Sequence, residues 1–306
     1  MLAQHVLTVT AEQDEEMKKL IGKSNIEIEK DVNALKDWLN KSPHLPKNED
    51  DIILRRILYY NKFSLEKSKQ KLDLYYSSQN LIPEFFENRN PLHASMQKVF
   101  DYGMVVPLPK LTNEFQRISI SKQITNDNPN FDGWEYVRFL LSTYEYRLWH
   151  DRCVSDIFVV DLVNTSFNNL LKISPSCIVN MFAVSQKTYS DKIHSIHIIN
   201  ASTAAHTIID LLKTLFNAKM GQRIHVHNDL ESLYKHVPKD ILPEDYGGSE
   251  KPLMELHKNW RAFLESQDSW MIDRMKMKSN EKLRPGQPIN SDLLGIQGSF
   301  RQLNVD

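Results

Sequence analysis

The 306-residue chain has only two cysteines, Cys153 and Cys177. Two thiols cannot form a disulfide framework, and free thiols fit a reducing compartment. Glycine is scarce as well, at nine residues. No GxxxxGK(S/T) phosphate loop, GxGxxG dinucleotide turn, GxSxG nucleophile elbow or HExxH metal pair occurs. Together these absences argue against nucleotide hydrolysis, dinucleotide chemistry, esterase chemistry and zinc proteolysis. No apolar run approaches the roughly 18 residues that span a bilayer, so no transmembrane helix is expected. The N-terminal stretch MLAQHVLTVTAEQDEEM lacks a basic segment followed by a long apolar one, so no signal peptide is expected. On that expectation the sequons at Asn164 and Asn200 are coincidental. A formal charge of −1 gives no global attraction to nucleic acid and leaves room for a local basic patch.

What remains is enough to build a large core, with 41% hydrophobic residues over a length that suggests more than one domain. The first hundred residues read as helices. In IEIEKDVNALKDWLN, Ile26, Ile28, Val32, Leu35, Trp38 and Leu39 recur at helical spacing, and Ser42-Pro43 stops the run. NEDDIILRRILYY follows with acids in its first turn, and Ser64 opens FSLEKSKQKLDLYYSSQ as an N-cap. After about Gly103 the pattern changes. MVVPLP and RISISKQ read as strands, GWEYVRFLLSTYEYRLWHD as a helix, and SDIFVVDLV as a strand covered on both faces. A helix from about Pro175 to Tyr189, the strand KIHSIHIIN, the helix TAAHTIIDLLKTLFNAK and the strand QRIHVHN complete an alternation that predicts a mostly parallel α/β sheet flanked by helices. The end, RPGQPINSDLLGIQGSFRQLNVD, reads as an extended tail, with Leu294, Ile296 and Phe300 to pack.

Chemistry-bearing residues are few. His194, His197, His225 and His227 fall on neighbouring strands, with His225 and His227 on one face. No cysteine or carboxylate stands at a supporting spacing, so satisfied imidazoles are expected and no metal. Asp156, Asp161 and His150 lack a nucleophile to serve, so no catalytic residue is assigned. Asp161 ends a strand, where its carboxylate can bind loop amides. In the helix from Thr203, Ile208, Leu211, Leu212 and Leu215 line one side while Ile209 and Phe216 make the other apolar. Such a helix reads as buried; the alternative is a lid with one face on a cavity and the other on a membrane. Lys192, Lys219 and Arg223 lie near that helix, as a solvated terminus or a lipid-phosphate site.

Several of these stretches, in order, resemble the CRAL-TRIO lipid-binding family, in the branch of α-tocopherol transfer protein, cellular retinaldehyde-binding protein and the clavesins. The matching pieces are IFVVDL, SFNNLLKISPS, KIHSIHIIN, AKMGQRIHVHN and LYKHVPKDILPEDYGG, preceded by DWLNKSPHLP, DDIILRRIL, NKFSLEKSKQKLDLYY and PEFFENRNP. The tail GIQGSFRQL looks like the close of many invertebrate members. The resemblance implies an all-α helical cap over residues 1–100, a lipid-binding α/β domain over 101–265 and a C-terminal helix and tail over 266–306. It implies a cytoplasmic, non-enzymatic carrier without cofactor, in transient contact with membranes. Its hydrophobic ligand would be terpenoid, retinoid, carotenoid, tocopherol or phospholipid-like. The family's pocket positions fall on Ser142, Phe158, Val160, Ile173, Met181, Val184, Ile196 and Ile198, and its gate on Ala205, Ile208, Ile209 and Leu212. A phosphoinositide site would use Lys192, His194, Lys219 and Arg223, which leaves a membrane-trafficking adaptor as the alternative function. LPEDYGG would close the architecture and do no chemistry.

The chain also departs from the family pattern. Asn164 stands where a glycine is common, Tyr189-Ser190 where Tyr-Pro is usual, and Ala205 where the gate residue is bulkier. His194 replaces a typical arginine, and Tyr59 and Asn61 occupy commonly basic positions. An imidazole at 194 would make anion binding pH-sensitive.

Overall fold

The computed structural model describes residues 6–126, 128–189, 192–286 and 289. Among the described residues, the helical elements before the sheet are α1 (Ala11–Ile21), α2 (Asn25–Lys41), α3 (Asp51–Tyr60), α4 (Leu65–Leu81), α5 (Pro83–Phe86) and α6 (Ala94–Tyr102). Thr10 with Gln13, and Ser24 with Glu27, form reciprocal capping boxes that start α1 and α2. Asp50 and Ser64 cap α3 and α4. Along α2, Val32, Leu35 and Leu39 are buried, while Ile26 is 83% exposed. At 100° per residue Ile26 falls on the opposite side of the helix from that trio, so it does not belong to the stripe.

The rest of the chain alternates. It runs β1 (Gly103–Leu111), β2 (Gln116–Gln123), α7 (Gly133–His150), β3 (Ser155–Asp161), α8 (Phe167–Leu171), α9 (Pro175–Thr188), β4 (Ile193–Ile199), α10 (Thr203–Leu215), α11 (Ala218–Gly221), β5 (Ile224–His227) and α12 (Leu230–Tyr234). Helices α13 (Leu253–Ser266) and α14 (Asp268–Lys276) follow. The strands form one sheet in the order β1-β2-β3-β4-β5. β1 pairs antiparallel with β2, and every other pairing is parallel. The predicted α/β architecture with an N-terminal helical region is thus present. Pro107 and Pro109 fit on β1 because it is an edge strand whose register breaks between Pro107 and Leu111.

Alternation along the strands separates two faces. Ile118, Ile120, Ile157, Val159 and Ile199 pack against Leu233, Val237, Leu242, Tyr246 and Leu256 from the C-terminal elements. Phe158, Val160, Ile196, Ile198 and Ile224 point the other way, towards α9 and α10. The proline- and glycine-rich stretch after β5 closes the first face. Gly247 has φ +71°, and a Cβ on Gly248 would come within 1.9 Å of the Leu242 carbonyl oxygen, so neither position accepts a side chain without rearrangement.

A polar network ties the helical region to the rest. Glu145 on α7 is fully buried, pairs with Arg89 and accepts a hydrogen bond from the Tyr189 hydroxyl at 3.0 Å. Arg274 on α14 donates to Glu49 at 2.8 Å and to the Tyr75 hydroxyl at 2.7 Å. Burial works against the Glu145 charge, but Arg89 and Arg274 outweigh it and hold the carboxyl below its ordinary range. The expected packing of Leu294, Ile296 and Phe300, and the GIQGSFRQL motif, lie outside the described residues.

Candidate functional site

Between the sheet and α10 lies a cavity of about 190 Å3. Its floor is the β3–β5 face, with Phe158, Val160, Ile196, Ile198 and Ile224. Tyr136, Val137, Leu140 and Tyr144 of α7 form a second wall at spacings of one, four and eight residues, which a helix turns to one side. Ile173, with Ile178, Met181 and Phe182 of α9, forms a third. Ala205, Ile208, Ile209, Leu212 and Phe216 close the top. Polar groups gather near the C-terminal ends of β2 and β3: the Ser121 and Tyr136 hydroxyls are 2.7 Å apart, and Lys122 pairs with Asp161 at 3.1 Å.

The structure therefore brings together Phe158, Val160, Ile173, Met181, Ile196 and Ile198 with all four positions expected from sequence to form a gate, Ala205, Ile208, Ile209 and Leu212. Ser142 and Val184 are not among the lining residues. Ser142 is buried with its hydroxyl donating to the Phe139 carbonyl at 3.0 Å, and Val184 packs into the core of the helical region. Both sit on helices, where a few residues' displacement turns a side chain to another face. The α7 wall and Ser121 were absent from the sequence reading, although the periodicity of Tyr136, Val137, Leu140 and Tyr144 is a signal that could have found them.

Helix α10 departs from the expectation of a helix buried around its girth. Ala205 and Ile209 alone are buried in it, Ile208 and Leu212 are half-buried, and Leu211 and Leu215 are 49% and 48% exposed. Ala205, Ile208, Ile209 and Leu212 meet the cavity, and Leu211 and Leu215, which flank that stripe on one side, meet solvent. On neighbouring α8, Phe167 and Leu171 are 51% and 60% exposed, which extends the outer apolar surface.

Parallel strands begin at a common edge, and this places Lys192 and His194 at the start of β4 beside Arg223 at the start of β5, with Lys219 on α11 just before it. The Arg223 carbonyl accepts from the Ile196 amide at 2.8 Å, and its guanidinium donates to the Ile193 carbonyl. Lys192 lies 5.5 Å from the Tyr59 ring centre and 5.8 Å from that of Tyr60. Burial, then the charge of Lys62, lowers its pKa. Asn61 turns its amide back to the Ile57 carbonyl at 2.8 Å, at the end of its own helix. Lys62, held at φ +53° in the turn after α3, supplies a cation one residue beyond the position read from sequence.

The histidines do meet. The His197 and His236 rings lie 5.1–5.7 Å from each other and from those of His225 and His227, with three of these pairs stacked. His197 shares hydrogen bonds with His227 at 2.8 Å and with the Ser195 hydroxyl at 2.9 Å. Among the described residues no group of three or more His, Cys, Asp or Glu is arranged to hold a metal. Asp156 pairs with Arg147 at the start of β3, Asp161 ends the same strand, and His150 packs its ring 5.1 Å from Phe263. Burial, then Arg56, lowers the His150 pKa to about 4. The two aspartates are five positions apart on the strand, on the order of 17 Å at ~3.3 Å per residue, so the three groups form no site. Both cysteines are buried, and burial raises their thiols, Cys177 to about 12. Both sequon amides serve the fold: Asn164 donates to the carbonyls of Gln123 and Ile124, and Asn200 to Asp161. Among the described residues no helix is long and apolar enough to cross a membrane.

Comparison with known proteins gives consistent matches. Residues 101–248 match the CRAL/TRIO domain, and residues 24–96 match the family described as Pinta-like, UBA domain. The alpha-tocopherol transfer protein-like protein of Homo sapiens is 25% identical over 239 residues, which cover 77% of this chain and 69% of that one. Clavesin-1 of Xenopus laevis is 21% identical over 229 residues, covering 74% and 69%. The crystal structure of Sfh5 aligns with a TM-score of 0.51 at 14% identity, over 76% of this chain and 92% of that one, a likeness of fold.

Proposed function

On the premise that residues 101–248 of this chain are a CRAL/TRIO domain, we propose that it is a non-enzymatic carrier that holds a hydrophobic small molecule under α10 and exchanges it at membranes. The observation that carries the reading is the apolar cavity between sheet and α10, with its few polar groups at one end. Apolar walls supply area-dependent affinity, and the polar end orients the ligand. Burying about 400 Å2 of a terpenoid, retinoid, carotenoid, tocopherol or phospholipid-like chain contributes roughly 10 kcal/mol before ordering costs. A cavity of 190 Å3 is smaller than the ~300–1,000 Å3 of ordinary ligand sites, so loading requires α10 to move outward. The exposed Leu211 and Leu215 of α10, with Phe167 and Leu171 on neighbouring α8, form an apolar surface to lay on a bilayer. The carrier works from the cytoplasm, with transient peripheral association. Native mass spectrometry and organic extraction of the purified chain test the proposal. A stoichiometric lipophilic compound is the expected result, and a chain that takes up none from a panel of such lipids sinks it.

A second reading, a phosphoinositide-binding trafficking adaptor, is favoured by the gathering of Lys192, His194, Lys219 and Arg223 at one sheet edge. It predicts recruitment to phosphoinositide vesicles by ligand-free protein. Failure of the empty chain to bind such vesicles would remove it.

A further inference from the structure

A second cavity, of about 420 Å3, lies between α1, α2, α3 and the C-terminal end of α7. It shares no lining residue with the one under α10. Met17, Ile21, Ile28, Phe63 and Trp149 give it apolar walls. Its charged lining is unbalanced, with Lys18, Arg55, Arg56 and Arg152 against Asp14 and Asp151.

Most of these charges are already matched. Asp14 pairs with Lys18 at 3.0 Å and with Arg152, and Arg55 pairs with Glu29. Asp151 is taken up by Arg117 at 2.6 Å and Arg147 at 2.9 Å. Arg56 is the exception: among the described residues it has no carboxylate partner. Its Nη1 donates to the carbonyls of Arg147 (3.0 Å) and Leu148 in the last turn of α7. A helix C-terminus carries only about half a negative charge. Nε and Nη2 have no hydrogen-bond partner among the described residues, which leaves one edge of the guanidinium fork free. Trp149, in the same wall, has an indole N–H without an acceptor.

We propose that this cavity binds a long-chain monocarboxylate, its carboxylate on the Arg56 guanidinium and its chain along Met17, Ile21, Ile28 and Phe63. A planar carboxylate matches the free guanidinium edge. One unmatched cation calls for a monoanion; a dianionic phosphate monoester would bring a second charge without a partner. The apolar walls require a chain, and the volume falls within the range of small-molecule sites. The proposal is independent of what occupies the cavity under α10.

The test is quenching of tryptophan fluorescence by 9,10-dibromostearate, titrated below its micellar concentration into the full chain. Saturable quenching is expected, with its amplitude at least halved in Trp149→Phe. Filling the other cavity with Ala205→Phe leaves the Trp149-dependent part intact. Arg56→Gln raises the dissociation constant at least tenfold. Because Arg56 also holds the end of α7, two measurements leave that residue untouched: the methyl ester of the same acid binds at least tenfold more weakly, and Ile28→Phe, which narrows the cavity, weakens the acid. Equal affinity for acid and ester overturns the proposal, as does quenching that Trp149→Phe leaves unchanged or that Ala205→Phe abolishes.

Discussion

The Tyr246 hydroxyl donates to Asp161 Oδ2 at 2.9 Å, joining the proline- and glycine-rich closure to the end of β3. Asp161 Oδ1 accepts from the Val163 amide at 3.0 Å and from Asn200 at 2.8 Å, so one buried carboxylate fixes the ends of β3 and β4 and the closing segment. Tyr246→Phe removes one hydrogen bond to a charged acceptor and is expected to cost about 1.5–3 kcal/mol, read from urea denaturation. A change under 0.5 kcal/mol would show that the closure holds without it.

Introducing a carboxylate on the cavity face of α10 places a charge where the proposed ligand lies. Ile208→Asp and Leu212→Asp are expected to abolish lipid loading while far-ultraviolet circular dichroism stays unchanged, because both positions are only half-buried. Normal uptake by both variants would sink the gate assignment.

At the basic sheet edge, Lys219→Ala combined with Arg223→Ala is expected to reduce sedimentation with phosphoinositide vesicles at least fivefold at low salt, with the effect shrinking as salt rises. Unchanged vesicle binding would count against this edge as the anion site.

The histidine cluster predicts an acid-side loss of stability. Burial, then the neighbouring His227, His225, His236 and His194, lowers the His197 pKa to about 3. Lys213 adds to the depression at His225, and Asp229 opposes it at His227. A histidine whose folded pKa lies below its unfolded value of about 6.5 contributes fully above 6.5, and its contribution falls as pH drops towards the folded value. Between pH 7 and 5 the folded chain should lose on the order of 1–2 kcal/mol through His197. His197→Gln should flatten that dependence in urea midpoints taken across the range; an unaltered slope would show that His197 does not carry it.

Removing one partner of the buried pair Arg89–Glu145 leaves the other charged in the core. Glu145→Gln is expected to cost about 3–5 kcal/mol, seen as a lowered unfolding midpoint, because Arg89 and Arg274 lose their shared anion. A loss below 1 kcal/mol would mean that Tyr189 and the remaining carbonyls satisfy both arginines.

Much of this was legible beforehand because it is local. Strand alternation in IFVVD and IHSIHII sorts Phe158, Val160, Ile196 and Ile198 onto one face, where the structure has them. Residue type at a turn is equally local: the paired glycines of LPEDYGG allow a positive φ and a close backbone approach, and both are present. The parallel sheet and the preceding helices follow from pattern, and the ordered motifs identify the CRAL/TRIO domain.

Tertiary structure decided what depends on which helix face meets which neighbour, and that is set by packing between segments far apart in sequence. Periodicity shows α10 as apolar nearly all round; only its seat on the sheet leaves Leu211 and Leu215 in solvent and Ala205 and Ile209 within. Ser142 and Val184 turn away from the cavity that Tyr136 and Tyr144 line. Glu145 and Arg89 are 56 residues apart, and Asp161 and Tyr246 are 85 apart. Each is an ordinary polar residue until the fold removes water and leaves it only the partners that packing supplies.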